Sequence, residues 1–152
     1  MPYCPVTQIP IEYICSVGRI LAIDYGTKRC GIAVTDPLKI IATGLTTVHS
    51  KDIIEWLKNY TSRESVEAIV VGEPKDLKGN PTDATRVANE FVSHLQKQFP
   101  NMKIARVDER FTSKMASKAI LDSGLKKKDR QNKELIDEVS ATILLQHYME
   151  MF

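Results

Sequence analysis

The sequence predicts an α/β protein, one mixed sheet flanked by helices, and three observations predict it. Three β-type runs follow one another early: roughly Arg19–Asp24, Arg29–Thr35 and Ile40–Val48. Helical and strand patterns then alternate to the end of the chain. Val66–Val71, too brief for a helix, reads as a strand buried on both faces, and Lys103–Val107 as another short strand. Successive strands suggest an antiparallel meander, and α/β alternation suggests parallel crossovers.

The first two runs form a hairpin. Gly26 supplies a tight reversal through positive φ, and Asp24 ends an otherwise buried strand. A charge there needs water, a hydrogen bond or a metal. Asp24 either caps the turn or serves as a ligand. Asp36-Pro37 marks the next turn. Ser50 caps a helix over Asp52–Tyr60, whose Ile53, Trp56, Leu57 and Tyr60 recur at helical spacing. Gly72-Glu73-Pro74 stops the Val66–Val71 strand. Asn80 with Pro81 starts a helix running to about Phe99, with Ala84, Val87, Phe91 and Leu95 as its stripe. Thr112 caps a helix that ends at Gly124, and a last helix runs from about Asn132 to Tyr148.

The chain has 152 residues, 43% hydrophobic and 26% charged, enough for one domain with a proper core. A formal charge of +2 does not by itself imply a nucleic-acid partner. Cys4, Cys15 and Cys30 form no C-x-x-C pair, and their odd number fits reduced thiols in a cytosolic protein. No stretch approaches membrane-span length. Residues 1–17 read as an arm, either loose or, over Met1–Ser16, translated ahead of a true start at Val17, which a GTG codon could specify; residues 18–150 read as one domain. Intact mass of the native protein decides between these.

Three acids stand where structure alone would not put them. Asp24 ends the first strand, Glu109 follows Lys103–Val107, and Asp137 shares a helical line with Ala141, Leu144 and Tyr148. Each has a plain role: turn cap, partner of Arg110 or Lys114, and acid near a helix N-terminus. Strand ends in such a sheet gather ligands. Two carboxylates ~5 Å apart at a dielectric near 20 repel by about 3 kcal/mol, which a cation relieves. Hard oxygen donors suit Mg²⁺ or Mn²⁺, and three carboxylates with a substrate phosphate can hold two such ions for phosphodiester cleavage.

Lys126, Lys127, Lys128, Arg130 and Lys133 lie just before Asp137. They form either a solvated face or a track for a phosphate backbone. Arg29 and Arg110 flank the acids and either pair with them or neutralise phosphate. Tyr25 reads as packing, and His49, His94 and His147 are assigned no chemistry.

Four motifs in order carry a resemblance: Asp24-Tyr25-Gly26-Thr27-Lys28-Arg29-Cys30-Gly31-Ile32-Ala33-Val34-Thr35-Asp36, Val70-Val71-Gly72-Glu73-Pro74, Asp108-Glu109-Arg110-Phe111-Thr112-Ser113, and Ile136-Asp137-Glu138-Val139-Ser140-Ala141 with Ile143-Leu144-Leu145-Gln146. From about Gly18 to Glu150 the chain resembles the YqgF-type nucleases of the RNase H-like superfamily, described as pre-16S rRNA nucleases and as Holliday junction resolvases. The resemblance implies a five-stranded RNase H-like sheet, with Asp24, Glu109 and Asp137 as catalytic metal ligands. It implies a bacterial cytoplasmic enzyme that matures the 5′ end of 16S rRNA, with structured RNA or branched DNA as partner and no membrane. Glu73 departs from the family's usual apolar residue, as a surface acid or a fourth site acid.

Junction resolution needs paired cuts and usually a two-fold dimer, and no dimer interface is legible, so a monomer or weak dimer is expected. An actin-like ATP-binding fold needs two such domains, and one is present. A nucleic-acid-binding factor without catalysis is the remaining alternative.

Overall fold

A computed structural model describes residues 18–76, 78–108, 118 and 133–150. Five strands form one sheet: β1 (Arg19–Tyr25), β2 (Arg29–Thr35), β3 (Ala42–His49), β4 (Val66–Glu73) and β5 (Lys103–Asp108). The order is β3-β2-β1-β4-β5. β1, β2 and β3 pair antiparallel, whereas β4 joins β1, and β5 joins β4, in parallel. The meander and the crossovers both stand as read from the pattern of runs.

Alternation along each strand sorts side chains onto two faces. Leu21, Ile23, Cys30, Ile32, Val34, Ile69 and Val71 point to one face. There they bury Ile53, Leu57 and Tyr60 of α1 (Ile53–Arg63) and Phe91, Val92 and Leu95 of α2 (Asp83–Gln98). Ile20, Ala22, Ala33, Ala68, Val70 and Val107 point to the other face. Its cover is α3 (Lys133–Glu150), through Ala141, Leu144, Leu145 and Tyr148. The line Ala141, Leu144, Tyr148 therefore does face the sheet. No helix among the described residues is long and apolar enough to cross a membrane.

Several local expectations give way to specific bonds. Gly26 does not take positive φ; among described glycines only Gly79 does, at 86°. What requires glycine at 26 is close approach: a Cβ would sit 2.6 Å from the Arg29 carbonyl oxygen. Gly26 N donates to that oxygen at 3.0 Å, closing the turn. β3 starts at Ala42 rather than Ile40, because the Asp36 carboxylate accepts the amides of Ile40 and Ile41 at 2.7 and 2.8 Å. Those bonds hold both residues off the ladder.

Ser50 does not cap α1, whose N-cap Asp52 makes no side-chain cap bond. Asn80 belongs to a turn around Asp76, whose carboxylate accepts its amide at 2.8 Å. α2 begins instead at Thr82, in a reciprocal capping box with Thr85. Its buried face consequently runs through Thr85, Ala88, Phe91, Val92 and Leu95, and Ala84 is exposed. The predicted helix between Thr112 and Gly124 lies outside the described residues.

Candidate functional site

The β1–β2 hairpin places Asp24 directly opposite Gly31. Asp24 continues the Ile20, Ala22 series, so it points to the α3 face, partly buried. Gly31 is buried on that same face. A Cβ on Gly31 would lie 2.0 Å from the Asp137 carbonyl oxygen and 3.1 Å from its Cα. The backbone of α3 at Asp137 thus rests on the bare strand at Gly31, beside Asp24. Gly31 is the residue that lets the two acids' segments meet. An isolated glycine within a strand signals such an approach, but it carries no side chain to suggest chemistry.

Asp137 is held by its neighbour on β2. Arg29 Nε donates to Asp137 Oδ2 at 3.0 Å, with side-chain exposures of 35% and 25%. Both partners retain enough solvent for a ligand to reach them. Arg29 thus ties the sheet to α3 and balances one of the two acids.

Ser50 is a further contributor that the sequence pattern assigned elsewhere. Its Oγ donates to the Gly26 carbonyl at 2.6 Å and accepts from Cys30 Sγ at 3.7 Å. Its amide donates to the Lys28 carbonyl at 3.0 Å. These bonds clamp the turn that separates Asp24 from Arg29. Burial pushes the Cys30 thiol up to about 11, with the Asp24 and Asp137 charges adding in the same direction and the Ser50 and Gly26 bonds opposing. The thiol therefore stays protonated and packs as part of the core.

Tyr25 faces the opposite side, stacked on Phe91 with centroids 4.2 Å apart. Packing is its role. Glu73 shares the face of Ile69 and Val71, away from Asp24, and lies 3.8 Å from Lys75 Nζ. It is a surface acid and no fourth member of this site. Glu109, Arg110, Lys126, Lys127, Lys128 and Arg130 lie outside the described residues. Among the described residues no three His, Cys, Asp and Glu side chains gather to hold a metal. The described pair, Asp24 and Asp137, offers carboxylate oxygens, the donor chemistry that Mg²⁺ and Mn²⁺ take.

Comparison with known proteins identifies the family and the fold. A family model, RuvX, described as Holliday junction resolvase, matches residues 18–151. A Flavobacterium johnsoniae protein named "Putative pre-16S rRNA nuclease" is 60% identical over 131 residues, 86% of this chain and 95% of its own. Proteins of that name from Phocaeicola vulgatus and Bacteroides thetaiotaomicron are 53% and 49% identical over 134 residues. Each alignment covers 88% of this chain, with 96% and 97% of the relative. Among solved structures, T. thermophilus RuvC in complex with a Holliday junction substrate superposes with a TM-score of 0.54 at 15% identity, over 88% of this chain and 96% of that one. That likeness establishes the RNase H-like fold.

Proposed function

The chain belongs to the RuvX family, and from that premise we propose that it is a metal-dependent endonuclease that trims the 5′ end of pre-16S rRNA. The observation that carries the reading is the meeting of Asp24 and Asp137 across Gly31, with Arg29 bonded to Asp137. Fold likeness alone would not assign chemistry. Two acids converging on a bare glycine at a strand end supply a reason for it.

In this reading residues 18–150 are one nuclease domain and residues 1–17 an arm outside it. Asp24, Asp137 and Glu109, which follows β5 directly in the sequence, hold one or two Mg²⁺ or Mn²⁺ ions. Such ions, when bound, make a water nucleophilic near neutral pH and stabilise the leaving oxygen. The protein's own part is positioning. Gly31 keeps the floor free of side chain, Arg29 fixes the Asp137 carboxylate, and Ser50 fixes the turn between Asp24 and Arg29. Arg29, Arg110 and the basic stretch Lys126, Lys127, Lys128 and Arg130 neutralise the phosphate backbone. The enzyme works in the cytoplasm, as a monomer or weak dimer.

Four-way DNA junctions are the second substrate, favoured by the description of the matching family. Purified protein with Mg²⁺ or Mn²⁺ is incubated with a pre-16S rRNA fragment and, separately, a synthetic junction. Cleavage of the RNA is expected. Asp24→Asn and Asp137→Asn are each expected to lower it by at least ~100-fold, the upper end of what loss of a mere supporting partner costs at a metal site. Cutting that survives both substitutions overturns the site. Junction cutting alone transfers the site to DNA. Failure to cut either substrate leaves a binding factor without catalysis.

A further inference from the structure

The acid row continues across the sheet. Asp24 lies opposite Gly31, and Gly31 lies opposite Thr47 on β3. Residues directly opposite one another share a face, so Thr47 stands two strand spacings from Asp24, about 10 Å, on the α3 side. The next pair along this edge on that face is Arg29 with His49. Here the surface opens into a cleft of about 320 Å³ lined by Lys28, Arg29, Thr47, Val48 and His49. Its polar lining is ammonium, guanidinium, hydroxyl and imidazole, and among the described residues no carboxylate lines it.

The cleft is also held in shape. The Lys28 carbonyl accepts the Ser50 amide at 3.0 Å, which ties the turn to the end of β3. His49 Nδ1 accepts the Lys51 amide at 3.2 Å. The neutral ring then carries its proton on Nε2, which is left to donate outward. Arg29 spends Nε on Asp137, and a guanidinium has four further N–H donors. Lys28 and His49 are exposed.

Resting on the nuclease reading above, we propose that this cleft is a phosphodiester subsite. Lys28, His49 and the remaining donors of Arg29 grip the backbone of the bound strand next to the bond that is cut. The strand reaches the acids along the β2–β3 edge, and Arg29 bridges the gripped phosphate and Asp137. The subsite reads charge and not base, so it serves RNA and branched DNA alike.

The test measures binding of a fluorescent RNA spanning the 16S 5′ end, and of a labelled four-way DNA junction, in EDTA over a range of KCl. Lys28→Gln is expected to weaken binding of the ligand that the wild type cleaves ~3–10-fold and to reduce the slope of log Kd against log salt by about 1. Adding His49→Gln weakens it further. Lys58→Gln, an exposed lysine on α1, leaves both quantities unchanged. A single neutral methylphosphonate beside the cleavage position should weaken the wild type and cost the Lys28→Gln protein nothing more. The proposal is overturned if Lys28→Gln matches the wild type or if Lys58→Gln matches Lys28→Gln. It is overturned equally if no methylphosphonate position removes the difference. Asp24-dependent cleavage alongside an inert Lys28→Gln change would sink the subsite and leave the nuclease standing. Cleavage indifferent to Asp24→Asn would sink the nuclease reading itself.

Discussion

The two faces of the sheet are built from different side chains, and the difference separates ordinary core packing from the close approach on which the proposed site rests. Toward α1 and α2 the strands present Leu21, Ile23, Ile32, Ile69 and Val71, all fully buried. Toward α3 they present Ala22, Gly31, Ala33, Ala68 and Val70 along the middle of the sheet, with Ile20 and Val107 beside them. Large side chains keep α1 and α2 at ordinary packing distance and remove much apolar surface from water. Small ones let α3 settle onto the strands until its backbone at Asp137 touches Gly31. Both faces bury a core, but the α3 face gives up apolar volume at Gly31 so that the backbone of α3 at Asp137 comes down beside the Asp24–Gly31 pair.

Substitutions on the two faces should therefore part company. The largest effect belongs to Gly31→Val. Its Cβ would fall 2.0 Å from backbone of α3, which cannot swing aside as a side chain can. We expect a loss of about 3 kcal/mol in urea unfolding, together with loss of cleavage in whatever protein remains folded. Gly44→Ala, on β3 against the same helix, supplies the contrast. Its Cβ would meet the Thr142 hydroxyl at 3.2 Å, a contact relieved by a shift of a few tenths of an ångström, so activity should persist. Equal harm from both would mean that the approach at Gly31 is nothing special.

Ile69→Ala tests the other face. Removing a fully buried branched side chain should cost about 2–5 kcal/mol in unfolding. Turnover per folded molecule, measured well below the midpoint, should stay near wild type. A large fall in turnover at full folding would show that the two faces are not separate in function.

The smallest effect concerns pH. Cys30 is held protonated in the folded protein, its thiol raised from 9.0 to about 11. A raised acid binds its proton more tightly folded than unfolded. Its contribution is thus complete below about 9 and is lost as pH rises toward about 11. Tyr25 and Tyr60, both raised chiefly by burial, act in the same direction at somewhat higher pH. Unfolding midpoints should fall between about pH 9 and about pH 11, and Cys30→Ala should flatten part of the fall. Iodoacetamide at pH 8 should label Cys30 in urea and spare it in native protein. Ready native labelling would place the thiol outside the core.

Much of the fold was legible because period-two and period-3.6 patterns report burial directly. The hairpin, the two short parallel strands and the inward line of α3 all follow from them. Local details were less legible where several residues compete for the same backbone group. Ser50, Asn80 and Thr82 are all good caps by type, yet only Thr82 caps. Ser50 was claimed by the Gly26 carbonyl and Asn80 by the Asp76 carboxylate, partners that tertiary structure or a neighbouring turn supplied.

For the site, Asp24 and Asp137 stood out as acids on apolar frames, and the structure gives them Gly31 as common ground. By itself the sequence determined the residue types available, the face most of them occupy within their own element, with α2 the exception, and the family. Only the tertiary structure decided that Arg29 bonds Asp137 across 108 positions, that Glu73 turns away, and that Lys28 and His49 share a cleft. Periodicity tells which way a side chain points from its own element. What it meets there depends on register and helix approach, and here the approach of α3 is permitted by a glycine whose effect lies in the side chain it lacks.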